Sequence, residues 1–81
     1  MSSYETILVQ TYETLRPFAS GQTLTEDTDL LVDLNLDSMR MMELVFEAED
    51  RFDVSIPLNT LASVRTVRDF AHRLQELTAD R

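Results

Sequence analysis

In the stretch DLNLDSMRMMELVFEAEDRF, residues 33–52, a single serine, Ser38, follows Asp37 where a loop-like run turns into a helix-like one. Its hydroxyl could act as a nucleophile, belong to a metal loop, or cap a helix. A nucleophile needs a base in reach. The chain holds one histidine, His72, and helical spacing sets it opposite Val67, Phe70 and Leu74, toward water. No G-x-S-x-G turn is present. Asp33, Asn35 and Asp37 match the first three ligand positions of a calcium loop. The pattern then fails, with Ser38 where glycine belongs and Leu44 where glutamate belongs. Glu43 comes one residue early and turns to the wrong side of a helix. No metal site is assigned. Both Ser38 and Asp37 are favoured residue types at a helix start, so capping alone accounts for them at this level.

The elements that must hold this pair are helical. Tyr4, Ile7, Leu8, Thr11, Tyr12 and Leu15 recur at helical period. They predict a first helix from about Ser3 to Leu15, capped by Ser2 with Glu5 three residues on and stopped by Pro17. Residues 18–37 read as a long connection, pinned down by Leu24, Leu30, Leu31, Leu34 and Leu36. A second helix runs from about Ser38 to Phe52. Arg40, Glu43, Glu47, Asp50 and Arg51 share one arc. Met39, Met41, Met42, Leu44, Val45, Phe46, Ala48 and Phe52 fill a wide apolar arc, which makes this helix central. Glu49 falls at the edge of the apolar side. Glu43 and Glu47 are spaced to pair with Arg40 and Arg51. A short turn at about Leu58–Ala62 follows Ile56-Pro57. The last helix opens at Thr66, with Asp69 in a capping-box position and Val67, Phe70, Ala71, Leu74 and Leu77 facing inward. The expectation is an all-α bundle of three main helices plus one short helix, with a long loop between the first and second, forming a single domain over residues 1–81.

Composition narrows the function classes. A chain of 81 residues has a small core and little room for a deep cleft. It lacks cysteine, so disulfides and thiolate metal sites are excluded. No run approaches the roughly 18 apolar residues of a membrane span, and the N-terminus lacks the form of a signal peptide. A monomeric, cytoplasmic protein is expected. The net charge of −8 is concentrated: residues 26–53 hold ten carboxylates against two arginines. Such a surface repels nucleic acid and favours basic partners.

The wider pattern carries more. Leu30-x-x-Asp33-Leu34-x-x-Asp37-Ser38-Met39, then Glu43-Leu44, then Glu49-x-x-Phe52-x-Val54-x-Ile56-Pro57, resembles the acyl carrier protein family in register over nearly the whole chain. Arg65-Thr66-Val67 is similar to the opening of that family's last helix. The resemblance implies that Ser38 is no catalyst. It would be the point at which a phosphopantetheinyl transferase attaches 4′-phosphopantetheine from coenzyme A, with Asp37 beside it in a supporting role. The thiol of that arm would carry thioester-bound acyl or polyketide intermediates between acyl- or ketoacyl-handling enzymes with basic docking patches.

Several residues keep two readings. Glu43, Glu47 and Asp50, with Met39 and Arg40, form either a solvated surface or the docking face. Met39 and Met42 are either core, by their spacing, or part of a pliable cluster that shelters an acyl tail, with Met42, Phe46, Ala48 and Leu61 as the pocket candidates. Two positions depart from the family pattern. Asn35 replaces the usual glycine, and asparagine tolerates the left-handed backbone such a turn needs. Arg40 stands where fatty-acid-synthesis carriers bear an acid, which favours a dedicated pathway. An aminoacyl or peptidyl carrier is the alternative within the class. An unmodified acidic adaptor is the alternative outside it.

Overall fold

The computed structural model describes residues 3–79. Three helices carry the fold: α1 (Tyr4–Leu15), α2 (Ser38–Phe52) and α3 (Val67–Ala79). Two 3-10 turns, Arg16–Phe18 and Leu58–Ser63, join them, and a long connection separates α1 from α2. Among the described residues the only strand-like pairing recorded is one isolated bridge between Asp29 and Thr66. The expected all-α architecture is present, with the short helix wound as a 3-10 turn.

α1 begins on Ser3, which has an extended backbone and whose Oγ accepts the N–H of Thr6 at 3.2 Å. Ser2, the expected cap, lies outside the described residues. At the other end Pro17 has no N–H to continue the α ladder. The chain tightens into the Arg16–Phe18 turn and leaves through Ser20 and Gly21, both at positive φ.

The core gathers Ile7 and Leu15 of α1, Leu44, Val45 and Ala48 of α2, and Val67, Phe70, Ala71 and Leu74 of α3, all essentially fully buried. α1 packs against both other helices. Thr11 and Thr14 lie within this interior. Each donates its hydroxyl to the carbonyl one turn back, on Ile7 and Gln10, so burial leaves no unmet donor.

The inward arc of α2 is Met41, Leu44, Val45, Ala48 and Phe52, narrower than expected. Met39 is 74% exposed and Phe46 60% exposed, which corrects their place on the inward apolar arc and, for Met39, the core reading. At 100° per residue their bearings fall beside Asp50 and Glu43. Direction around the helix decided their place, and apolar character did not.

The connection packs as the leucines require at Leu30, Leu34 and Leu36. Leu24 is half-buried and Leu31 stays exposed. The segment is also stitched to the start of α3. Leu30 N–H donates to the Arg65 carbonyl, Val67 N–H to that of Thr28, and Arg68 N–H to that of Glu26, at 2.9–3.0 Å. Arg65 pairs with Asp29 at 2.7 Å and Arg68 with Asp27 at 2.6 Å. Beyond α2 the chain turns through Asp53 at positive φ. There the Glu49 carboxylate accepts the N–H of Ile56 at 2.8 Å, which gives that edge residue a structural task.

Candidate functional site

Ser38 is the first residue of α2 and is exposed. Its position follows from its neighbours. Asn35 takes φ 54°, the left-handed turn asparagine tolerates, between buried Leu34 and Leu36. The chain then extends through Asp37, whose Oδ1 accepts the N–H of Arg40 at 2.9 Å. Asp37 is therefore the helix cap. Ser38 stands just inside, in the first turn, where backbone N–H groups lack intrahelical acceptors and the helix dipole is positive.

Beside Ser38 lies an open groove of about 320 Å³, lined by Leu31, Met41, Met42, Leu61, Ala62 and Val64 as well as Ser38 itself. Apart from Ser38 these are all apolar side chains, drawn from the connection, α2, the Leu58–Ser63 turn and Val64 just after it. Of the four residues expected to form a pocket, Met42 and Leu61 line this groove. Ala48 is sealed in the core and Phe46 points outward, so neither is among its walls. Leu31, Met41, Ala62 and Val64 complete it. In the sequence only Leu31 among the loop leucines and Met41 on the apolar arc gave any sign of this.

The acidic residues are displayed on the outer face of α2, with Glu43, Glu47 and Asp50 all exposed. Arg40 pairs with Glu43 at 3.1 Å, as spaced, and its guanidinium also lies 4.7 Å from the centre of the Phe18 ring. Arg51 does not meet Glu47. It reaches across to Glu13 of α1 at 3.8 Å, which corrects the expected pairing.

The remaining candidate chemistry is directed elsewhere. His72 stacks on Tyr4, ring centres 4.5 Å apart. Tyr4 donates its hydroxyl to Glu26 at 2.6 Å. Burial, aided by that carboxylate, pushes the phenol up to about 12. Asp33 accepts the N–H of Asp29, and Asp29 in turn accepts the N–H groups of Leu31 and Val32. Hydrogen bonds from Val32 and Leu31, with Arg65, hold the Asp29 carboxyl below the usual range. These carboxylates organise the loop ahead of Ser38. Among the described residues no helix is long and apolar enough to cross a membrane.

An exposed hydroxyl at a helix start suits a phosphodiester, because an anion there meets free N–H groups and a favourable dipole. The adjoining groove suits an apolar tail. This chemistry agrees with the comparisons. The sequence pattern described as "Phosphopantetheine attachment site" matches residues 19–74. A probable acyl carrier protein of Caulobacter vibrioides is 47% identical over 56% of this chain and 52% of its own length. An acyl carrier protein of Rhodococcus erythropolis is 37% identical over 70% of this chain and 63% of its own. A meromycolate extension acyl carrier protein of Mycobacterium leprae is 37% identical over 67% of this chain and 47% of its own. The chain thus matches about half to three-fifths of the length of these relatives. It belongs to the acyl carrier protein family, whose phosphopantetheine-binding domain bears a 4′-phosphopantetheine group and serves as a carrier rather than a catalyst.

Proposed function

We propose that this chain is a single carrier domain in which Ser38 holds the 4′-phosphopantetheine arm and that its cargo is an acyl or polyketide chain. The observation that carries the reading is the position of Ser38, exposed in the first turn of α2 and on the lip of the apolar groove. When bound, the group supplies a terminal thiol on a long arm, where cargo rides as a thioester. Asp37 fixes the helix start. The N–H groups of the first turn favour the phosphodiester charge. Met41, Met42, Leu61 and Val64 offer a pliable apolar wall that can keep a hydrocarbon tail from water.

An acyl cargo is favoured over an aminoacyl one because the groove presents no charged side chain to an ammonium group. The names of the relatives point the same way. The partners are a phosphopantetheinyl transferase and enzymes with basic docking patches. The reading places the carrier, as a monomer, in the cytoplasm. Incubation with coenzyme A and a broad-specificity phosphopantetheinyl transferase tests it by intact mass. The wild-type chain gains one arm, and Ser38→Ala gains none. Modification of Ser38→Ala, or none of the wild type, overturns the assignment. The native thioester found on the loaded protein then separates acyl from aminoacyl cargo.

A further inference from the structure

The outer ridge of α2 is built from Met39, Glu43, Phe46, Glu47 and Asp50, which share one contiguous arc at 100° per residue. Its charge is graded along the axis. Glu43 has Arg40 at 3.1 Å. Arg40 is held in turn over the Phe18 ring, and Phe18 is buried at the turn after α1. The guanidinium is thereby kept beside this carboxylate rather than swept through solvent. At the distance of a docked partner such a pair acts as a small dipole, and its net charge is zero. Arg51, the other cation of α2, is drawn to Glu13 on α1. No ion pair is recorded for Glu47 or Asp50 among the described residues. On this ridge the two turns next to Ser38 thus display Met39 and a neutralised Glu43, whereas the last two carry Phe46 with Glu47 and Asp50 and are negative.

We infer that Arg40 silences Glu43 and so sets which enzymes dock here, an inference that rests on the carrier reading above. The partner that fits is an enzyme with an apolar rim at its active-site mouth, to receive Met39, and, set back from it, a basic cluster beside an apolar contact for Phe46. Glu47 and Asp50 follow Ser38 by nine and twelve residues. At 1.5 Å rise per residue the cluster sits about 14–18 Å from the attachment oxygen. An enzyme whose basic group stands close to its mouth, opposite position 43, meets a neutralised carboxylate with an arginine beside it. It is therefore disfavoured.

Two measurements test this. A tetralysine peptide, titrated against the whole chain by NMR, reads the ridge without any enzyme. Amide shifts should centre on Glu47 and Asp50. Glu47→Gln and Asp50→Asn should each weaken binding about 2- to 3-fold, whereas removing both members of the pair, in Arg40→Gln/Glu43→Gln, leaves it unchanged, in the range of exposed ionic contacts. Arg40→Gln should extend the shifts to Glu43 and raise affinity about 2-fold. The same ranking should appear in kcat/KM for arm transfer by the transferase. Weakening by Arg40→Gln/Glu43→Gln equal to that by Glu47→Gln, or no change in Arg40→Gln, overturns the inference. A wild-type chain that accepts no arm would instead remove the Ser38 assignment, with the peptide titration still deciding the role of Arg40.

Discussion

Two helices of this fold begin against the same long connection, and their first turns are finished differently. At α3 every available partner is used. Thr66 and Asp69 cap each other, with the Thr66 N–H on Asp69 Oδ2 at 3.1 Å and the Asp69 N–H on Thr66 Oγ1 at 3.2 Å. Asp69 also takes the N–H of Arg65. The next two N–H groups, of Val67 and Arg68, go to the carbonyls of Thr28 and Glu26. At α2 a single side chain, Asp37, closes one N–H, that of Arg40. The start of α3 is finished as structure. The start of α2 keeps its first N–H groups and its serine toward solvent, where an anion can be attached. Both starts carry an aspartate cap, so what separates them is whether other chain segments also cover the turn.

If that contrast is sound, removing each cap should break different things. Asp69→Ala frees two N–H groups at once, those of Arg65 and Thr66, and should cost about 2 kcal/mol, the upper end for loss of a cap. That corresponds to a fall in Tm of roughly 8–16 °C for a domain this small. Below the lowered Tm, transfer of the arm to Ser38 should keep its wild-type rate. Thermal unfolding by circular dichroism, paired with the mass assay, reads both. A stable Asp69→Ala protein would show that the sheltered start of α3 does not depend on its cap.

Asp37→Ala is the converse. It should cost about 1 kcal/mol and also slow arm transfer, because the turn that displays Ser38 loses the bond that fixes it. Asp37→Asn retains an acceptor oxygen for the Arg40 N–H and should recover most of the stability. Full-rate transfer to Asp37→Ala would mean that the open helix start needs no fixing.

Acid should reveal the same asymmetry. Hydrogen bonds from the Thr66 and Arg65 N–H groups hold the Asp69 carboxyl below its ordinary range, and the Asp29 carboxyl is lowered as well. A carboxyl depressed in the folded state contributes stability above its unfolded pKa, near pH 4, and that stability is lost as pH falls through the folded value. Denaturant midpoints should therefore drop below about pH 4. In Asp69→Asn the drop should be shallower. An unchanged slope would remove the Asp69 carboxylate as a source of the clasp's acid sensitivity.

Both helix starts are legible in the sequence, because capping is local and Asp37, Thr66 and Asp69 announce it within three residues. Asn35 is legible for the same reason. Its side chain permits the turn whose φ is 54°. Legibility fails where the outcome depends on bearing or on distant segments. Met39 and Phe46 are apolar by type but point away from the core. Arg51 has a carboxylate at helical spacing yet meets Glu13, since packing α1 against α2 brings that partner closer. The groove is half visible. Met42 and Leu61 are foreseeable, but Leu31 and Val64 join them only because the connection and the segment after the Leu58–Ser63 turn fold back past Ser38. Nor does spacing show that Arg40 lies over Phe18, twenty-two residues earlier in the chain.

The smallest expected effect lies in the loop that delivers Ser38. Asn35 sits in the left-handed region, where a side chain with a Cβ is strained and asparagine less so than most. Glycine removes that strain but also loosens the unfolded chain, and the two effects oppose each other. Asn35→Gly should therefore shift stability by no more than about 0.5 kcal/mol and leave arm transfer intact. Asn35→Val adds a branched Cβ at the same φ and should cost about 1–2 kcal/mol. Its transfer rate should fall as well, because the turn fixes the path from buried Leu34 to Asp37. The comparison isolates backbone conformation from side-chain chemistry at the open helix start. If valine and glycine behave alike, the left-handed turn is not what sets Ser38 in place, and buried Leu34 and Leu36 are left to hold the approach to α2 by packing alone.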